Sequence, residues 1–333
     1  MMENLLNSPP SWQNFGIFFL LATVLLFVIL GFVTYAILAE RKVMGFMQAR
    51  QGPNQTGGRW GLLQTVADVL KLLIKEDVIP KVADRPLFIL APVLAFAPAF
   101  MVVAAIPFTD SYRFADIGVG LLYYIAVSGL TTIGIAAGGW ASNNKYALLG
   151  GMRAAAQMIS YEIPLVMSVI GVILLSGSLN LFDIVEAQDK VWFIFAQPIA
   201  FIVFFIASVA ELNRVPFDLP EAESEIVAGF HIEYSGFRWA FFMLAEYVYM
   251  FAMAALTTVL FLGGWKPVLF LDFIPGAVWF SLKFSLVIFV LIWFRSTFPR
   301  LRADRLMEFG WKVLLPIALA NIFLSALIKE LFF

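Results

Sequence analysis

The sequence predicts an all-α integral membrane protein with about eight transmembrane helices and an interfacial amphipathic helix in the first long loop. Three observations carry that prediction. Of 333 residues, 62% are hydrophobic and 14% charged, and mean hydropathy is +0.89, whereas a soluble domain carries about 25% charged residues. Eight apolar segments occur, over 15–38, 86–106, 117–137, 154–175, 191–210, 239–262, 277–294 and 313–328, and about 20 residues suffice for a crossing. The runs do not alternate. They therefore read as helices rather than barrel strands, since backbone groups in lipid must bond within the segment or a closed barrel.

The first span is too long, and its flank too poor in positive charge, for a cleaved secretory signal. Glu40-Arg41-Lys42 closes it, and the run from Arg50 to Gly58 is turn-forming around Gly52-Pro53-Asn54. Trp60 to Asp77 then reads as an amphipathic helix. Gln64, Asp68, Lys71 and Lys75 make one narrow polar stripe on an otherwise apolar cylinder, which suits a helix lying in the interface plane. The stripe either faces water, as a surface anchor, or lines a side entrance for a lipid-like substrate. The last span is short and is expected to extend through Leu331 to Phe333.

Basic residues orient the chain. Seventeen of the 22 Lys and Arg fall in loops 39–85, 139–153, 211–238 and 295–312, and the opposite loops hold only Arg113, Lys190, Lys266 and Lys329. The long loops are thus expected in the cytoplasm and both termini outside, around one membrane domain spanning 1–333. The basic run Arg295, Arg300, Arg302 and Arg305 suits an anchor to anionic lipid. With a net charge of −1, nothing points to nucleic acid.

Cysteine is absent and His231 is the single histidine. Iron–sulfur clusters need thiolates or His, so no cluster or metal site is expected in this chain, and the 12 Met read as packing. His231 reads as a satisfied loop residue. There is no Walker loop, dinucleotide fingerprint or nucleophile elbow.

The acids carry the chemistry. Glu211, Asp218, Glu221, Glu223, Glu225 and Glu233 crowd a loop between two membrane-spanning runs, where Pro216 and Pro220 forbid an uninterrupted helix. Crowding and partial burial raise carboxyl pKa values, so such a loop can hold and pass protons near neutral pH. Glu162 and Glu246 lie inside spans, where a charge costs about 2.5–3.5 kcal/mol on insertion scales. The alternative is that these acids merely pair with Arg or Lys across the bundle. Pro164 leaves the Ser160 carbonyl without its usual helical donor beside Glu162. Lys283, also inside a span, is expected to snorkel or to pair with a carboxylate.

Four motifs in order then resemble one family. They are Glu40-Arg41-Lys42 with Gly45, Gln48, Arg50, Gly52-Pro53-Asn54 and Gly57; Lys75-Glu76-Asp77 with Pro80; the whole run from Glu211 to Gly236; and Arg302, Asp304, Leu306-Met307, Trp311-Lys312 and Leu314-Leu315-Pro316. Over nearly its full length the chain resembles the H-subunit family of bacterial NADH:quinone oxidoreductases, the counterpart of mitochondrial complex I subunit 1. The resemblance implies a multi-pass subunit of the bacterial inner membrane, with quinone as substrate. Flavin and iron–sulfur clusters would belong to partner subunits, both the soluble quinone-site and iron–sulfur subunits and small membrane subunits. Arg41, Arg50, Asp68, Lys71, Phe217 and Arg295 would line the quinone tunnel. Glu162, Glu211, Asp218, Glu221, Glu223, Glu225 and Glu246 would form the acidic proton path, with Arg214 as a charge partner. Two other readings share parts of this pattern. A membrane subunit of an energy-converting hydrogenase or ferredoxin-linked complex would co-purify with a nickel–iron centre. A stand-alone secondary transporter would show matching interrupted helices in two halves, and loops 39–85 and 211–238 do not match.

Overall fold

A computed structural model describes residues 12–110, 113–220, 223–267 and 273–332, and no strand occurs among them. Seven helices are long and apolar enough to cross a membrane, and a shorter apolar helix, Pro198–Glu211, makes the expected eighth. In chain order the helices are α1 (Trp12–Met47), α2 (Gln64–Ile74), α3 (Arg85–Met101), α4 (Gly120–Ser128), α5 (Leu130–Ala141), α6 (Lys145–Ser176), α7 (Leu181–Glu186), α8 (Phe193–Ala196), α9 (Pro198–Glu211), α10 (Glu223–Ile226), α11 (Gly236–Phe261), α12 (Gly276–Thr297), α13 (Ala303–Phe309) and α14 (Leu315–Phe332).

Several boundaries differ from the sequence reading, each for a visible reason. Glu40-Arg41-Lys42 does not close the first span: α1 runs on to Met47 with Glu40 buried. Its 36 residues rise about 54 Å, well beyond a hydrocarbon core of about 30 Å. Helix α2 is shorter than Trp60 to Asp77. Gly57, Gly58 and Gly61 hold positive φ and keep the approach in turns, and Lys75 is already extended at ψ 134°. The chain beyond it is tied to the start of α11, where Ser235 Oγ accepts from Val78 N at 3.1 Å and Arg238 pairs with Asp77 at 3.0 Å. The final helix starts early, at Ala303, and passes through a π turn at Gly310–Leu314 into α14. Pro316 cannot donate to the Lys312 carbonyl, and widening the helix there accommodates the missing bond.

Helix α11 is the axis. Every residue from Tyr247 to Gly264 is buried, with α1, α3 and α12 packed around it. Close approach elsewhere depends on glycine. A Cβ on Gly134 would lie 2.5 Å from Ala95 N, so α5 and α3 meet backbone to backbone, and one on Gly150 would lie 2.6 Å from Gly229 Cα. Small residues let helices pack this way where the surrounding lipid supplies no hydrophobic drive. Helix α6 is capped at both ends: Asn144 accepts from Tyr146 N at 2.9 Å, and Gly177 closes the helix at φ 73°.

Lys283 neither snorkels nor meets a carboxylate. Its ammonium donates to the carbonyls of Leu262 at 2.6 Å, Gly264 at 3.0 Å and Lys266 at 2.6 Å, and sits 4.1 Å from the Trp192 ring centroid. It caps the C-terminal end of α11, where a cation is favoured by the helix dipole.

Candidate functional site

The deepest polar cluster forms where the loop after α9 turns back under α11. Asn213 at φ 51° makes the turn and aims Arg214 inward, leaving it 2% exposed. Arg214 NH1 donates to Glu40 Oε2 at 3.2 Å, and its Nε donates to Glu246 Oε1 at 3.0 Å. Glu40, also 2% exposed, accepts from Tyr247 Oη at 2.9 Å and pairs through its other oxygen with Arg295 of α12. The Tyr247 ring lies 4.7 Å from the Arg214 guanidinium carbon, a cation–π contact that adds to the clamp. Burial opposes the Arg214 charge, but Glu40 and Glu246 beside it outweigh that and hold the guanidinium protonated above its usual range. Two guanidinium groups thus balance two carboxylates. Charges taken out of water survive only with such partners.

Glu211 is built differently. It ends α9 at 3% exposure, and its Oε1 accepts from Tyr249 Oη at 2.5 Å. Its Oε2 finds no partner, and no basic side chain pairs with it among the described residues. Only the Tyr249 hydroxyl offsets the cost of burying a charge there. A cavity of about 50 Å³ lies against it, lined by Glu211, Glu246, Tyr249, Thr131 and Asn213 on its polar side and by Ala95, Met158 and Phe242 among its apolar walls. One water needs about 10–15 Å³ of such volume and two or more polar partners, so the space is large enough for a short chain of water between Glu211 and Glu246. Glu162 of α6 is half-buried and faces the break between α4 and α5, where a Cβ on Gly129 would lie 3.0 Å from its Oε1. It lies close enough to Glu211 for their charges to interact. Gln157, one turn before Glu162 on α6, pins the turn by donating to the carbonyls of Ala210 and Phe217, both at 2.7 Å.

Two of the remaining acids have arginine partners of their own. Asp218 pairs with Arg300 at 2.7 Å. Burial raises its carboxyl above the usual range, and Arg300 and Arg295 only partly pull it back. Glu225 pairs with Arg153 at 2.7 Å near the surface. Glu221 lies outside the described residues, as does the side chain of Glu223. The expected tunnel residues also divide. Arg41 pairs with Asp68 at 2.6 Å, joining α1 to α2, with Lys71 exposed on the same helix. Arg50 donates to Gln48 at 2.7 Å on the exposed turn. Phe217 is buried against Tyr161, ring centroids 5.5 Å apart, and Arg295 belongs to the Glu40 cluster.

Sequence reasoning missed Glu40, Tyr247, Tyr249 and Gln157 as site residues. Glu40 carried a signal, a carboxylate within the first motif. Side by side with Arg41 and Lys42 it reads as a surface terminus, because nothing local says that two arginines from α12 and the post-α9 loop reach it.

His231 packs beside Phe230 and Trp239, and burial lowers its imidazole to about 4. A lowered value means that the opened loop takes up protons more readily than the packed one. The contribution of this packing is therefore full above about 6.5 and falls as pH drops toward about 4. Protection factors of residues 229–235, taken relative to the intrinsic exchange rate at each pH, should fall over that window, and His231→Gln should remove the acid dependence.

A family model described as NADH dehydrogenase matches residues 20–326 of the chain. The H subunit of the NADH-quinone oxidoreductase from Geobacillus sp. (strain WCH70) is 81% identical over 333 residues, covering all of both chains. The proteins of the same name from Anoxybacillus flavithermus and Bacillus mycoides (strain KBAB4) are 81% and 80% identical over the same full length.

Proposed function

We propose, given that this chain belongs to the NADH dehydrogenase family, that its buried acids couple quinone reduction to proton movement. The chain is a membrane subunit of NADH-quinone oxidoreductase and holds no full active site by itself. In this reading it lies in the bacterial cell membrane with its basic loops in the cytoplasm, beside soluble subunits that carry flavin and iron–sulfur clusters and small membrane subunits.

Quinone reduction takes two electrons from those partners and two protons, giving quinol. Three features support entry of the substrate along this chain. Arg41 and Asp68 join α1 to α2. A groove of about 290 Å³ between α1 and α12 is lined by Phe32, Tyr35, Ala36 and Phe284. A cleft of about 240 Å³ lies between Leu72 of α2 and Lys75 just after it on one side, and Tyr234 and Trp239 at α11 on the other.

The observation that carries the coupling is the shared guanidinium of Arg214, between Glu40 and Glu246. Arg295, partly exposed, touches the same Glu40. Negative charge arriving with the electrons draws Arg295 outward. Glu40 then takes more of Arg214, and Glu246 loses its cation and accepts a proton. Water in the cavity passes that proton between Glu246 and Glu211, with Glu162 beyond it. Charges thus move by short rearrangements of existing pairs, in the manner of linked sites.

Glu246→Gln keeps the shape and the Arg214 contact but cannot take a proton. In the assembled complex it should lower quinone-dependent proton pumping by about tenfold or more. Unchanged rate and stoichiometry would exclude Glu246 from the path.

A further inference from the structure

The basic run after α12 does not act as a unit. Arg295 is committed to Glu40 and Arg300 to Asp218, while Arg302 and Arg305 are exposed with no ion pair among the described residues. Beside them opens a groove of about 670 Å³, within the roughly 300–1,000 Å³ of ligand-sized clefts. Its walls come from the end of α9, the loop at Pro216, the end of α12, and α13 with the π turn. Leu301 N donates to Pro216 O at 3.0 Å and ties two of those walls together.

The lining divides sharply by chemistry. Phe217, Phe294, Phe298 and Phe309 form an aromatic slot, and Arg305, Glu308 and Lys312 stand along its rim. Lys312 pairs with Glu308 at 2.8 Å, but both are exposed and such a pair contributes little, so Lys312 remains free to meet another anion. The rim is net positive, with two cations to one carboxylate. The groove also lies at the ends of α9 and α12, beside the loop that carries Arg300 and Arg302.

We propose that this groove is a binding site for an anionic phospholipid, with an acyl chain among the four phenylalanines and the phosphate held by Arg305 and Lys312. A neutral quinone headgroup would gain nothing from those two cations. A zwitterionic lipid would bring its own ammonium to a positive rim. Each basic residue near an anionic headgroup contributes enough for several-fold in affinity, and the two together favour the anionic lipid by about tenfold or more.

The test uses the purified, lipid-stripped complex and a photoactivatable phosphatidylglycerol, with labelling of peptides covering residues 298–313 read by mass spectrometry. Unlabelled phosphatidylglycerol should compete at about one-tenth the concentration of phosphatidylcholine with identical chains. Arg305→Gln with Lys312→Gln should abolish that preference, and Val313→Trp, which fills the groove, should reduce labelling by either lipid. Both sets of side chains are exposed, so the fold is not at stake. Equal competition by the two lipids would overturn the proposal. So would displacement by a short-tailed quinone analogue, or the absence of labelling because a neighbouring subunit covers the groove.

Discussion

Arg214→Met should destabilise the assembled complex by about 3–5 kcal/mol and abolish its quinone-reductase activity. The substitution removes one guanidinium from two carboxylates. Glu40, at 2% exposure, is left with Arg295 and Tyr247, and Glu246 is left with no cation among the described residues. The large term is the stranded charge rather than the lost pair, because removing one partner of a buried pair costs far more than replacing both. The double variant Arg214→Met with Glu246→Gln should therefore recover much of the stability while remaining uncoupled. Thermal inactivation of the four members of the cycle measures the interaction directly. If Arg214→Met left both midpoint and turnover near the parent values, the shared guanidinium would have no part in coupling.

Glu211→Gln is expected to retain assembly and lose proton translocation, with turnover falling by about 10²-fold. The amide oxygen still accepts from Tyr249, so the contact at 2.5 Å survives in kind, and only the exchangeable proton is lost. Reconstituted into vesicles, the variant should acidify the lumen far less per NADH oxidised. Tyr249→Phe separates two meanings of this result. It removes the hydrogen bond but leaves the acid, and it should slow pumping while preserving its stoichiometry. Full pumping in Glu211→Gln would remove this residue from the route and leave the adjoining cavity without a role.

Much of the architecture was legible because lipid imposes long apolar runs, and Pro and Gly mark where they stop. The eight apolar helices and α2 follow from that. The site was legible only in part. Glu211 and Glu246 stand out in sequence as acids beside or within apolar runs. Their division from Asp218 and Glu225 does not, because it is made by Arg300 and Arg153, which lie 82 and 72 residues away along the chain. Sequence crowding suggested one row of acids. Among the described residues, Glu211 meets Tyr249, Asp218 meets Arg300 and Glu225 meets Arg153. Lys283 was misread for a related reason: its partners are backbone carbonyls, which no side-chain pattern reveals.

The shortness of α9 has a final consequence. Its two ends bond to Gly171 and, through Ala210, to Gln157 of the long neighbour α6, which places Glu211 about 18 Å in from the start of α6 by helical rise. In the proposed path, a proton reaching this acid from the basic side would cross part of the electric field across the bilayer, where a full crossing is worth about 2.3 kcal/mol per 100 mV. Under the proposed function, the voltage that respiration builds would bear on the occupancy of this one carboxyl.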